Sequence, residues 1–235
     1  MRLHTTTWGS GDRIALLVHG LMADHRTWRR VGPALAERGY RAVAVDLRGH
    51  GASGRPPGPE RYRPGDHADD LVETLPTGAE LAVGHSLGAL VLAQAVERLK
   101  PARAVYSDPA WHLGSGPAGY RAGLFVRSKS LTREQVRAFN PHWPDEDVDV
   151  EMASVRAWDE RTAYALEEFR GADMWPAGAV VPSLVTLADP STLVPPGAAG
   201  MLAERGFVVR TVAGAGHTVH RDDFEGFMSA LDGWI

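Results

Sequence analysis

Six short apolar runs set the architecture of this chain: residues 14–18 (IALLV), 42–45 (AVAV), 80–83 (ELAV), 104–106 (AVY), 183–187 (SLVTL) and 207–212 (FVVRTV). Each is bounded by Gly, Pro or Asp. Most are separated by stretches with helical periodicity, at 27–37, 67–75, 87–99, 196–204 and 222–234. Strands that are apolar on both faces must be covered on both faces, and helix-length connections let neighbouring strands run parallel. The pattern predicts an α/β fold: a mostly parallel central sheet flanked by helices. At 235 residues the chain is long enough for one large domain and short for two.

The alternation breaks once. Between 106 and 183 about 70 residues carry helical patterning and no convincing strand, with Trp111, Trp143, Trp158 and Trp175 among them, four of the seven tryptophans. A long insertion between sheet strands is expected to be a helical lid over the site rather than an independent domain. We therefore divide the chain into a core, 1–109 and 179–235, and a lid, 110–178. The bland role for the lid aromatics is packing onto the core; some must face the cleft if the lid covers it.

Composition removes several classes of function. The chain has no Cys, which excludes a thiolate nucleophile, a zinc–thiolate site and an iron–sulfur cluster. A net charge of −4 and a pI near 6.2 argue against nucleic acid as a partner. The opening MRLHTTTWGSGDR lacks the apolar stretch of a signal peptide, and no 18-residue apolar run occurs. The expectation is a cytoplasmic protein with a small-molecule substrate and no membrane partner. Nothing in the sequence decides oligomeric state.

The chemistry concentrates at the pentapeptide Gly84-His85-Ser86-Leu87-Gly88, which joins the run 80–83 directly to the helix at 87–99. Gly-x-Ser-x-Gly alone is a weak signal. A strand-to-helix turn this tight makes it specific, because the flanking positions must be small and the central residue is forced into a strained conformation at the top of the sheet. Ser86 is the candidate nucleophile. A serine hydroxyl needs a base, and His217 follows the last apolar run in the flexible Ala213–Gly216 loop. His220, Asp222 and Asp223 nearby resemble a metal cluster, but His217 is better employed as a base, and no metal is expected. The carboxylate that orients His217 is Asp189, after the run 183–187, with Asp108, after 104–106, as the alternative. Backbone N–H groups of Leu21 and Leu87 are the candidate oxyanion donors, with Gly20 permitting the turn that aims the former.

These residues resemble the α/β-hydrolase superfamily over nearly the whole chain. The resemblance rests on His19-Gly20, on Asp46-Leu47-Arg48-Gly49-His50-Gly51-Ala52-Ser53, on Gly84–Gly88 and on Gly216-His217, in the order that superfamily expects. It implies an eight-stranded sheet, a lid between strands six and seven, a Ser–Asp–His order and no cofactor. Only 18 residues precede His19, so a trimmed edge or one missing strand is expected. The usual acid offset before Pro195 falls on Ser191, two residues past Asp189, which keeps Asp108 open.

Relatives that open epoxides or remove halides use an aspartate at the nucleophile position, so Ser86 counts against both. The expected reaction is hydrolysis of a small-to-medium, largely apolar carboxylic ester or lactone through an acyl-enzyme. An acyltransferase, a cyclase, a carbon–carbon bond hydrolase or a binding protein with vestigial activity would use the same frame. Met22 and Trp28 are expected to shape the acyl side; Trp111, Tyr120, Trp143 and Tyr164 are candidates for lining the pocket from the lid.

Overall fold

A computed structural model describes residues 1–115 and 119–235. Seven strands form one sheet in the order β1-β3-β2-β4-β5-β6-β7. They are β1 (Thr5–Trp8), β2 (Arg13–Val18), β3 (Tyr40–Val45), β4 (Leu81–His85), β5 (Arg103–Ser107), β6 (Ser183–Leu187) and β7 (Val208–Thr211). All pairs are parallel except β1 with β3. The sheet of the described residues thus has one strand fewer than the eight implied by resemblance. β1 was not legible in the sequence: TTTW is short and sits at an edge, with burial alternating between exposed and partly buried.

The apolar runs behave as doubly covered strands should. Leu16 and Val18 enter one core with α2 (Pro64–Thr74), α3 (Leu87–Leu99) and α8 (Ala198–Glu204). Ala15 and Leu17 enter the opposite core with α1 (Val31–Glu37) and α10 (Phe224–Ala230). Successive side chains of a strand point to opposite faces, so one sequence run supplies both layers. A short helix, α9 (Val219–Asp222), precedes α10.

Between β5 and β6 the described residues contain no strand. They form α4 (Ala122–Arg127), α5 (Arg133–Phe139), α6 (Asp145–Ala157) and α7 (Arg161–Glu167). Because the sheet has seven strands, this segment follows its fifth strand rather than its sixth. Val136, Trp143, Val148 and Met152 make a small core of their own, while Trp111 and Trp158 join the main core. No helix among the described residues is long and apolar enough to cross a membrane.

Candidate active site

Parallel strands all present their carboxyl ends at one edge of a sheet, and the loops there converge. Ser86 follows β4, Asp108 follows β5, and His217 follows β7. Ser86 has φ 53° and ψ −117°, a conformation disfavoured for any L-residue. The turn closes because its flanks are glycine. A Cβ on Gly84 would lie 2.6 Å from the Gly88 carbonyl oxygen, and one on Gly88 would lie 2.3 Å from that of Val18.

The Ser86 hydroxyl, on a residue only 8% exposed, donates to His217 Nε2 at 3.0 Å. His217 Nδ1–H donates to Asp108 Oδ2 at 2.6 Å, a tautomer assigned by these two partners. Asp108 is fully buried and its backbone φ is +38°. Burial works to raise its carboxyl pKa. The hydrogen bonds from His217, Ser191 and the Ala188 N–H outweigh that and hold it below the ordinary carboxylate value.

The carboxylate that meets His217 is therefore Asp108, and the expectation of Asp189 is corrected. Asp189 lies exposed past the end of β6, and its N–H donates to the Ala215 carbonyl at 2.8 Å, fastening the loop that carries His217. Ser191, where the usual offset falls, instead accepts from the N–H groups of Leu193 and Val194 at 3.2 and 2.9 Å. Asp108 follows β5, one strand inward of Asp189, and the loop after β6 contacts the His217 loop through the Asp189 N–H.

Gly20 has a different reason for being glycine than the sequence suggested. Its φ is not positive; a Cβ there would sit 3.0 Å from His85 Nδ1 and 3.1 Å from Ser86 Cβ. The unusual turn belongs to Met22, at φ 65°. Among the described residues no acceptor takes the N–H of Leu21 or of Leu87. Histidines hold this loop in place. His19 Nδ1–H donates to the Gly20 carbonyl at 2.7 Å while its Nε2 accepts from the Leu47 N–H at 2.9 Å. His50 Nε2 accepts from the Met22 N–H at 3.3 Å. His85 Nε2–H donates to the His217 carbonyl at 2.9 Å; burial, then the neighbouring His217, lowers the His85 pKa to about 3, so this ring is neutral.

Two cavities meet at Ser86 and His217. One, of about 170 Å³, is walled by Leu21, Leu87, Leu113, Tyr120, Phe125 and Leu166. The other, of about 90 Å³, includes Met22, Thr27, Glu151, Thr218 and Arg221. Of the aromatic and Met candidates, Met22 and Tyr120 line these cavities; the other four do not. Trp28 is fully buried, stacked on His220 at 4.3 Å. Trp111 packs in the core against Tyr106 and Phe207, 5.1 and 5.7 Å between ring centres. Trp143 donates from Nε1 to Asp222 Oδ1 at 2.8 Å, and Tyr164 is 45% exposed. Phe125, Leu113 and Glu151 were missed, because the sequence does not tell which face of an insertion turns inward; Arg221, on α9 of the core, was missed because its partner Glu151 lies 70 residues away in the chain.

A metal could find ligands elsewhere: one atom each of His4, His25 and Asp46 lies within 4.8 Å of the others. Both imidazoles already donate to the Asp46 carboxylate, at 2.9 and 2.8 Å, and none of the three lines either cavity at Ser86. Asp46 also accepts from the N–H of His25 and of Ala52, tying the loop after β3 together.

Residues 15–230 match the profile of the alpha/beta hydrolase family. Among curated proteins, an epoxide hydrolase of Caballeronia sordidicola is 39% identical over 90 residues, 37% of this chain and 27% of that protein. Epoxide hydrolase A of Mycobacterium tuberculosis is 42% identical over 85 residues, 35% of this chain and 26% of that one. These matches span only about a quarter of the relatives' length. Among solved structures, E-2-(acetamidomethylene)succinate hydrolase superposes with a TM-score of 0.79 at 23% identity, covering 99% of this chain and 94% of that one. An esterase from Exiguobacterium antarcticum gives 0.78 at 18%, covering 99% and 94%. An N-acyl homoserine lactone degrading enzyme gives 0.76 at 18%, covering 99% and 96%. At such identities the structural likeness bears on fold alone. The family match extends through all but the first strand of the sheet and both ends of the Ser86–His217 pair. The chain belongs to the alpha/beta hydrolase family.

Proposed function

We propose that the protein is a serine hydrolase acting on a small, largely apolar carboxylic ester or lactone, with Ser86 as nucleophile, His217 as general base and Asp108 as the group that orients it. The observation that carries this reading is the unbroken hydrogen-bonded relay from the Ser86 hydroxyl through His217 to a buried carboxylate, at the meeting point of two cavities.

In the reaction, His217 Nε2 takes the Ser86 proton as Oγ attacks the carbonyl carbon. The developing oxyanion is received by the N–H groups of Leu21 and Leu87. His217 then returns the proton to the departing alkoxide, and the alcohol leaves. Water, deprotonated by His217, attacks the acyl-enzyme and releases the acid. Asp108 stabilises the imidazolium without taking its proton.

The chemistry of Ser86 separates this from the epoxide-opening relatives. Serine attack on an epoxide carbon would leave an ether, which a general base and water cannot hydrolyse, whereas attack on a carbonyl leaves an ester, which they can. An esterase and a lactone-degrading enzyme among the structural neighbours are consistent with the same substrate class. Both cavities are smaller than the roughly 300–1,000 Å³ of drug-sized sites, which favours short acyl chains. The segment 110–178 acts as a lid in this reading, since Tyr120, Phe125, Glu151 and Leu166 come from it.

A panel of p-nitrophenyl esters from acetate to decanoate, with simple lactones beside it, tests the proposal. The expected result is highest kcat/KM at short chain length, with an acyl adduct detectable by mass on quenching. Absence of turnover across the panel, with epoxide opening instead, would overturn it.

A further inference from the structure

The two cavities beside Ser86 differ in chemistry. Apolar side chains dominate the larger one, whereas the smaller one contains an ion pair. Arg221, with a side chain only 2% exposed, donates from Nη1 to Glu151 Oε2 at 2.7 Å. That bond fixes the carboxylate of a residue on α6 against α9, immediately after the His217 loop. The other oxygen, Oε1, accepts no hydrogen bond from the described residues, and the Glu151 side chain is 18% exposed and lines the smaller cavity. The nearby Thr27 hydroxyl is already committed to His220 Nε2 at 2.9 Å.

Charge in this corner is nearly balanced. Buried Asp147 accepts from Arg29 Nε at 2.7 Å and lies 3.7 Å from Arg221 Nε; Arg29 also donates from Nη1 to Glu146 at 2.9 Å, so two guanidinium groups meet three carboxylates, of which Glu146 is exposed and screened by solvent. The subsite therefore has no strong net field to select an ion. What it offers is one oriented acceptor, held in place by a guanidinium.

We infer that Glu151 is a specificity-determining residue whose free carboxylate oxygen accepts a hydrogen bond from a neutral donor, a hydroxyl or amide N–H, at one end of the substrate while the apolar end fills the larger cavity. The inference rests on the acyl-enzyme reading of Ser86 for its relation to turnover, but the binding preference it predicts does not need turnover. A purely hydrocarbon end in the smaller cavity strips water from the carboxylate and returns nothing, and sites built around a hydrogen bond discriminate strongly against partners lacking it.

The test compares near-isosteric esters binding to the Ser86→Ala protein, read by ligand-observed NMR titration. 2-Hydroxyethyl butyrate is set against propyl and 2-methoxyethyl butyrate, and methyl 3-hydroxypropanoate against methyl butyrate, so that the donor is tried on either side of the ester. In at least one set the hydroxyl compound should bind about tenfold or more tightly, corresponding to about 1.4 kcal/mol. In a Ser86→Ala, Glu151→Gln protein the amide oxygen must face Arg221, which turns an N–H toward the cavity. The preference should then shift toward the methoxy compound, an acceptor only. Equal affinities within both sets, or a hydroxyl preference that Glu151→Gln leaves unchanged, would overturn the inference. So would tighter binding of 2-aminoethyl butyrate than of its hydroxyl counterpart. Turnover of the same esters by the unmodified protein reports separately on Ser86: its failure alone removes the acyl-enzyme reading and leaves the binding result standing.

Discussion

At the residue scale, the acid of the relay is the most informative position. Asp108 and Asp189 both follow strands and both precede His217, so spacing alone separates them poorly. The difference is three-dimensional: one carboxylate is buried at 2.6 Å from the imidazole, the other residue is exposed and works through its backbone. Asp108→Asn should lower kcat by about 10⁴-fold, the scale seen when a triad carboxylate is neutralised. Asp189→Asn should change it by less than about threefold, since the Asp189 N–H is retained. Steady-state kinetics of the two variants decides the matter, and the reverse ranking would restore Asp189. The sequence did carry a hint here. Ser191 stands where the acid is usually found, and its hydroxyl accepts from the Leu193 and Val194 N–H groups instead of meeting His217.

At the element scale, the strands and the elbow were legible because their constraints are local. Continuous apolar runs, and glycines on which a Cβ would lie 2.3 and 2.6 Å from backbone oxygens, leave few alternatives. The insertion was legible as helical but not in its orientation. Its inner face is chosen by contacts distant in sequence: Arg29 with Glu146 and Asp147, Trp143 with Asp222, Arg221 with Glu151. Trp28 and Trp111 proved to be packing residues for the same reason, as size predicts burial but not the neighbour. These cross-links hold α6 on the core. Arg29→Ala leaves the buried Asp147 carboxylate without its 2.7 Å donor and should loosen α6 by about 1–3 kcal/mol. Limited proteolysis should then cut faster between α5 and α6 while the core fragment stays resistant. An unchanged cutting pattern would show that α6 is held by other contacts.

Over the whole molecule, an unusual number of neutral histidines is built into the interior. His19, His50, His67, His85 and His220 are buried, and burial lowers the pKa of each, with His50 and His85 pushed down to about 3. The unfolded chain takes up protons near the ordinary imidazole value of 6.5, well before the folded chain does. Stability is therefore fully present above about pH 6.5 and is lost as pH falls toward the folded values. His50 and His85 alone should each remove about 2 kcal/mol between pH 7 and pH 5. Urea unfolding at the two pH values should show a net loss of stability at pH 5, offset in part by His25, whose pKa the Asp46 carboxylate raises. Equal stability would mean that these rings are already protonated in the folded protein.

Activation of Ser86 is the property on which catalysis depends, and an organophosphonate probe read by intact mass measures it without assuming a substrate. One adduct on the unmodified protein, none on Ser86→Ala, and labelling slowed strongly in Asp108→Asn but not in Asp189→Asn is the predicted result. A folded protein that takes no adduct, or a Ser86→Ala protein that is labelled as fast as the original, would contradict it.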